Sequence, residues 1–276
     1  MTYWNAVLLG LVQGVAEFLP ISSSGHLAAL HSFLAIGDMA NHMLFDVLLH
    51  LGTLAAVILA FWKDVREVVT EFARMLHIRR TPRGLKPNRR ERRLISFLII
   101  ATLPLIPAAF LSNVVESLYR NTFFIGFAFI MTGFLLFAAD RMGHGNKDER
   151  SSTTADALVV GLAQAIAVVP GLSRSGTTIS CGMLRGFERS FAVKFSFLLS
   201  IPAVVGANLV SLIKVFSTGV EWSYVPMYLV GVACAFVSGY FAIYFLRLVV
   251  QRGKFGGFCY YCWGAGLVTL LLSLIS

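Results

Sequence analysis

Two short polar segments carry the residues whose types and spacing could do chemistry. One runs Pro170-Gly171-Leu172-Ser173-Arg174-Ser175-Gly176-Thr177-Thr178, set inside an otherwise apolar run. A charge at bilayer depth costs about 2.5 to 3.5 kcal/mol on insertion scales unless something compensates it. The natural compensator for an arginine among hydroxyls is an anion, because the planar guanidinium donates two hydrogen bonds to one phosphate. The other segment, Gln13 to His26, contains Glu17, Pro20, Ser22, Ser23, Ser24 and Gly25. Aligning Gly10-Leu11-Val12-Gln13 with Gly161-Leu162-Ala163-Gln164 brings Ser22-Ser23-Ser24-Gly25 onto Ser173-Arg174-Ser175-Gly176 without a gap.

Each segment ends in Ser-x-Ser-Gly ahead of a run able to start a helix. Helix N-termini present unpaired N–H groups and the positive end of the macrodipole, which together favour phosphate. Two such ends with Arg174 between them make a clamp for a group with several anionic oxygens, in which Gln13, Ser24, Ser173, Ser175, Gly176 and Thr178 would bind. Glu17, Ser23 and His26 add reactivity: Ser23 as nucleophile, Glu17 taking its proton, His26 protonating a leaving oxygen. Alternatively, Glu17 and Gln13, four apart on one helix face, hold a divalent cation, Mg or Ca, that bridges phosphates. Plainer readings stand beside these. The serines cap a helix, and Arg174 pairs with Glu17 as a buried bridge.

The elements that must position these residues follow from hydropathy. The chain of 276 residues is 57% hydrophobic and 13% charged, with a mean hydropathy of +0.75. A soluble domain is about a quarter charged, so the chain is an all-α polytopic membrane protein, its backbone satisfied within helices. Residues 3–36 and 155–184 are each interrupted by Gly, Pro and charge, and neither half of either reaches the roughly 20 apolar residues of a span. Both read as re-entrant helix hairpins. Residues 45–62, 94–111, 123–139, 195–212, 225–246 and 258–275 read as six spans, with kinks expected at Pro104 and Pro107.

The net charge of +9 gathers mainly between Lys63 and Arg93, read as a cytoplasmic loop by the positive-inside rule and not as a nucleic-acid surface. One hairpin then enters from outside and the other from inside, so residues 1–150 and 151–276 form an inverted-topology repeat with its site near the midplane. Full crossing by both hairpins, giving eight helices, is the weaker reading given their Gly, Pro and charged residues. The N-terminus, without a basic n-region, is read as carrying no removable signal peptide. Cys181, Cys234, Cys259 and Cys262 read as packing residues. Asp46 and His50 share a helix face near the first hairpin, as an interfacial hydrogen bond or as support for the site. His31, His42, His77 and His144 have no partner spacing.

Gln13-x-x-x-Glu17 with the Phe18 to His26 run, together with Pro170 to Thr178, resembles the undecaprenyl-pyrophosphate phosphatase family of the bacitracin-resistance type. The similarity extends over the whole chain in length, hairpin placement and motif spacing. It implies a multi-pass enzyme of the bacterial inner (cytoplasmic) membrane, its site facing the outer side. Such an enzyme removes the terminal phosphate of undecaprenyl pyrophosphate, with a divalent cation, to recycle the lipid carrier of cell-wall synthesis. By motif, Glu17 is the essential acid, Ser23 the candidate nucleophile, His26 a catalytic partner, and Ser173, Arg174 and Thr178 phosphate binders. Gln13 stands where many members have glutamate, which weakens a two-carboxylate mechanism. The rival reading is a lipid-phosphate transporter or flippase using the same clamp. A homodimer is left open.

Overall fold

The computed structural model describes residues 1–33, 39–77, 88–119, 121–218 and 222–275. The chain opens with α1 (Tyr3–Phe18), capped by Thr2, whose hydroxyl accepts from the Asn5 amide, and α2 (Ser23–Phe33). After α3 (Met39–Ala60) the backbone turns by 90° at Phe61 into α4 (Trp62–Met75). The basic stretch is therefore partly helical, where the sequence reading had a loop from Lys63 to Arg93. The reason lies in its spacing: Val65, Val68, Val69 and Phe72 recur on one face while Lys63, Arg66 and Glu67 take the other. Residues 78–87 of that stretch, and the 34–36 end of the first hairpin, lie outside the described residues.

α5 (Arg89–Thr102) starts at Asn88, whose side chain accepts from the Arg90 and Glu91 amides, and breaks at Pro104 before the short α6 (Leu105–Ala109). There follow α7 (Ser112–Tyr119), α8 (Thr122–Met142), α9 (Thr154–Ile166) and α10 (Arg174–Leu184). The long α11 (Arg189–Thr218), α12 (Val225–Gln251) and α13 (Phe258–Ile275) complete the chain. Among the described residues five helices are long and apolar enough to cross a membrane, or six if the bent α3–α4 pair counts as one. α1, α2, α9 and α10 are each shorter than a full span.

The short helices are held by close backbone approach. A Cβ on Gly10 would lie 2.3 Å from the Gly231 carbonyl of α12, and one on Gly161 would lie 2.5 Å from the Ala101 carbonyl of α5. These two glycines are the ones the sequence alignment superposes. Gly14 is tighter still, its added Cβ 2.0 Å from Ser238 Oγ and 2.4 Å from the Ala235 carbonyl. Because a backbone carbonyl cannot swing aside, Gly14→Ala is expected to lower stability by about 1 to 3 kcal/mol. Thermal unfolding in detergent reads this directly, and an unchanged melting temperature would refute the packing argument.

At one end of the bundle, charged side chains tie together helix ends remote in sequence. Arg90 bonds Glu149 at 2.7 Å, Lys194 reaches Asp64 at 2.5 Å and Glu149 at 3.2 Å, and Arg189 meets Asp140 at 2.8 Å. Asp156, at the head of α9, takes Lys147 at 3.0 Å and Arg185, just past α10, at 2.8 Å. The α9–α10 pair is thus a hairpin whose two ends meet. Glu149 lies between α8 and α9; burial works to raise its carboxyl, but the Arg90 hydrogen bond and the Lys194 charge outweigh this and hold it below its ordinary 4.5. Its contribution is complete above pH 4.5 and is lost as pH falls through the lowered folded value. Glu149→Gln is expected to melt below the wild-type temperature at pH 7, with the gap closing as the wild type is acidified.

Candidate active site

The two hairpin turns meet in the interior. Ser22 sits at φ 67°, a left-handed conformation that costs a non-glycine residue free energy. Its side chain is tied on both sides: the hydroxyl lies 3.3 Å from the Leu172 carbonyl of the other turn and accepts from the Gly25 amide at 3.4 Å. Ser175 Oγ donates back to the Leu19 carbonyl at 3.2 Å. Gly176 leaves room for the crossing, since a Cβ there would lie 3.1 Å from Pro20 Cβ. Gly171, at φ 89°, allows the second turn to press against Ile125 and Ala128 of α8.

Glu17 is the centre of the constellation. It lies at the end of α1, 7% exposed, and each carboxylate oxygen is engaged. Oε1 pairs with Arg174 Nη2 across the turns. Oε2 accepts from Ser23 Oγ at 2.6 Å and from Gln13 Nε2 at 3.0 Å. His50 Nε2 stands 3.9 Å from the same oxygen, its ring oriented by the Asp46 carbonyl, which Nδ1 meets at 2.7 Å. The Asp46/His50 pair thus faces the site through His50.

His26, one turn into α2, is held from three sides. Nδ1 lies 2.7 Å from the Ser22 carbonyl, Nε2 lies 2.7 Å from the Tyr261 hydroxyl, and Phe129 packs edge-on at 5.2 Å. Ser24 Oγ meets Ser22 Oγ at 3.2 Å, with the Tyr119 hydroxyl in its vicinity.

The second turn supplies Arg174 at the head of α10. Ser173 caps this helix by accepting from the Gly176 amide at 3.1 Å, while its own amide donates to Thr132 Oγ1 at 3.2 Å. Its hydroxyl also meets Ser175 Oγ at 3.3 Å. Thr178 is placed differently from the rest. Its hydroxyl bonds Ser196 of α11 at 2.5 Å and the Arg174 carbonyl at 2.9 Å, so it anchors α10.

Glu17, Ser23, Gln13 and Arg174 are therefore brought into direct contact, with Ser22, Ser24, Ser173, Ser175 and Gly176 building the turns around them. The helix-capping reading holds for Ser22 and Ser173, and the Arg174–Glu17 bridge is present. Sequence reasoning missed Tyr261, Phe129, Thr132, Tyr119 and Ser196, which come from helices distant in the chain and carry no local motif. Cys262 donates to the Pro20 carbonyl at 3.3 Å. All four cysteines are free.

Among the described residues no group of three His, Cys, Asp or Glu side chains stands ready for a metal. The donor set suits a hard cation shared with substrate all the same. Gln13 Oε1 is buried and has no hydrogen-bond partner beside the Glu17 carboxylate. A cation of the Mg type takes one or two protein oxygens and completes its shell with phosphate and water.

Comparison with known proteins covers this whole arrangement. The family description "Bacitracin resistance protein BacA" matches residues 6–268. A protein of Alkaliphilus metalliredigens named undecaprenyl-diphosphatase is 39% identical over 277 residues, covering all of both chains. Proteins of the same name from Halothermothrix orenii, 36% identical over 99% of each chain, and Syntrophotalea carbinolica, 41% identical over 96% of this chain and 97% of its own, align likewise. A match to the family over nearly the full length, with Gln13, Glu17, Ser23 and Arg174 in contact, makes this chain a member of the bacitracin resistance protein BacA family.

Proposed function

We propose that the protein is an undecaprenyl-diphosphatase, hydrolysing the membrane lipid undecaprenyl pyrophosphate to undecaprenyl phosphate and inorganic phosphate. Recycling the carrier serves cell-wall synthesis, and removing the pyrophosphate form confers bacitracin resistance. The observation that carries the reading is the 2.6 Å hydrogen bond from Ser23 Oγ to Glu17 Oε2. A carrier needs charge and polarity in a clamp; a hydroxyl seated on a carboxylate is the arrangement of a nucleophile with its base.

In this reading Arg174 holds the terminal phosphate; one Nη2 contact engages Glu17, and a guanidinium carries five donors in all. Ser23 Oγ attacks the terminal phosphorus and its proton passes to Glu17. The P–O bond to the lipid phosphate breaks, with its electron pair leaving on undecaprenyl phosphate. Water then attacks the phosphoserine, the serine oxygen leaves with a proton, and inorganic phosphate is released. His26, held at the head of α2 by the Ser22 carbonyl and the Tyr261 hydroxyl, serves beside Ser23 in the first segment, and Thr178 fixes Arg174 by anchoring α10. A divalent cation, Mg or Ca, would be held by Glu17 and Gln13 Oε1, and supplies neutralisation of phosphate charge when bound.

Six spans and two re-entrant hairpins in an inverted repeat of 1–150 and 151–276 are the topology we adopt, in the inner membrane. The Asp156–Arg185 contact supports it, since a pair of helices whose ends meet enters and leaves on one side. The packing supports it too: α1 lies on α12 and α9 on α5, while α3 meets α11 and α8 meets α13. With the basic ends cytoplasmic, the 13 residues of α9 rise about 20 Å before the turn, which supports a site open toward the outer side.

Chelation tests the cation. Phosphate release from undecaprenyl pyrophosphate by purified protein is expected to fall at least tenfold in chelator and to return with Mg or Ca. Full activity in chelator would remove the cation from the reading.

A further inference from the structure

We propose that Tyr261 is a positioning residue of this site, acting through His26. The inference rests on the hydrolase reading above. The geometry is carried by both ends of one imidazole ring. Nδ1 lies 2.7 Å from the Ser22 carbonyl, and a carbonyl oxygen only accepts. Nδ1 therefore carries the proton, and in the neutral ring Nε2 is the lone-pair nitrogen. The Tyr261 hydroxyl, 2.7 Å from Nε2, is the donor that completes the ring's hydrogen bonding and fixes this tautomer.

The phenol also controls the plane of the ring. Tyr261 stacks on His26 at 5.7 Å between centroids and 17° between planes, while Phe129 closes the other side at 77°. His26 is left with one orientation, its Nε2 edge directed at the Tyr261 hydroxyl of α13.

The setting of Tyr261 argues against an incidental contact. It lies on α13, a largely apolar helix, and is 48% exposed along the flank of the bundle. A hydroxyl in that setting gains from a fixed partner, and His26 is the partner it has. The next residue reinforces the same joint, since the Cys262 thiol donates to the Pro20 carbonyl at 3.3 Å, inside the first turn. α13 is thus bolted to the catalytic turn at two successive residues, one at its backbone and one at its histidine.

Tyr261→Phe removes only the hydroxyl and keeps the stacked ring, so the fold is retained. The expected result is a fall in kcat for phosphate release of about 10- to 100-fold, with KM for undecaprenyl pyrophosphate within about twofold of wild type. In a His26→Gln background the same substitution is expected to have no further effect, because its action passes through the histidine. A structural role would instead lower the melting temperature and act equally in both backgrounds. Wild-type kcat in Tyr261→Phe, alongside a His26→Gln enzyme that has lost activity, would overturn the proposal and leave the hydrolase reading standing. Wild-type activity in His26→Gln itself would overturn the histidine's place in the site, and the Tyr261 assignment with it.

Discussion

Glu17→Gln is expected to reduce phosphate release from undecaprenyl pyrophosphate by roughly two to four orders of magnitude, the span that general-base catalysis commands. The substitution keeps size and shape but removes both of the carboxylate's services. It can no longer take the Ser23 proton from Oε2, and it no longer offers Oε1 as an anion to Arg174. Gln13 already donates its amide to Oε2, and its Oε1 cannot replace a base. Among the described residues no other carboxylate hydrogen-bonds Ser23, so none replaces it. Retention of more than a tenth of wild-type turnover in a variant that melts like wild type would move the proton acceptor elsewhere.

Arg174→Lys should be almost as damaging, with a loss on the order of a hundredfold or more, the cost of removing one well-placed donor to a reacting oxyanion. The positive charge is preserved, so the expectation rests on geometry alone. The guanidinium touches Glu17 with one nitrogen and still presents further donors in the same plane, whereas an ammonium is a point charge that serves one partner well. Arg174→Ala should lose at least as much. If the lysine variant kept near-normal turnover, a point charge would suffice and the fork would be dispensable.

Much of this site was legible in the sequence because its chemistry is local. Glu17, Ser23 and His26 fall within one segment, Arg174 lies in the segment that the alignment superposes on it, and Gly10 and Gly161 mark the same backbone crossing in both halves. The all-helical architecture was equally readable, since apolar runs of span length admit no other backbone solution. Two things were not readable. α4 looked like loop because its composition is basic, and only the recurrence of Val65, Val68, Val69 and Phe72 marks it as a helix lying across the end of α3. The orienting partners Tyr261, Thr132 and Ser196 are scattered polar residues in largely apolar helices, and nothing in their neighbourhood distinguishes them until the fold brings them to the turns. Thr178, which the motif marks as a phosphate binder, also anchors α10 to α11 through Ser196, a contact the motif did not announce.

The most direct test is the initial rate of phosphate release from undecaprenyl pyrophosphate by the purified protein, with wild type and Ser23→Ala compared under identical detergent and cation conditions. The account predicts measurable release by wild type and a loss of at least a hundredfold in the variant, with both chains folded. Release at the wild-type rate from Ser23→Ala would contradict the serine nucleophile and leave water activated by Glu17 as the attacking group. No release from folded wild type, with any divalent cation, would contradict the hydrolase reading itself.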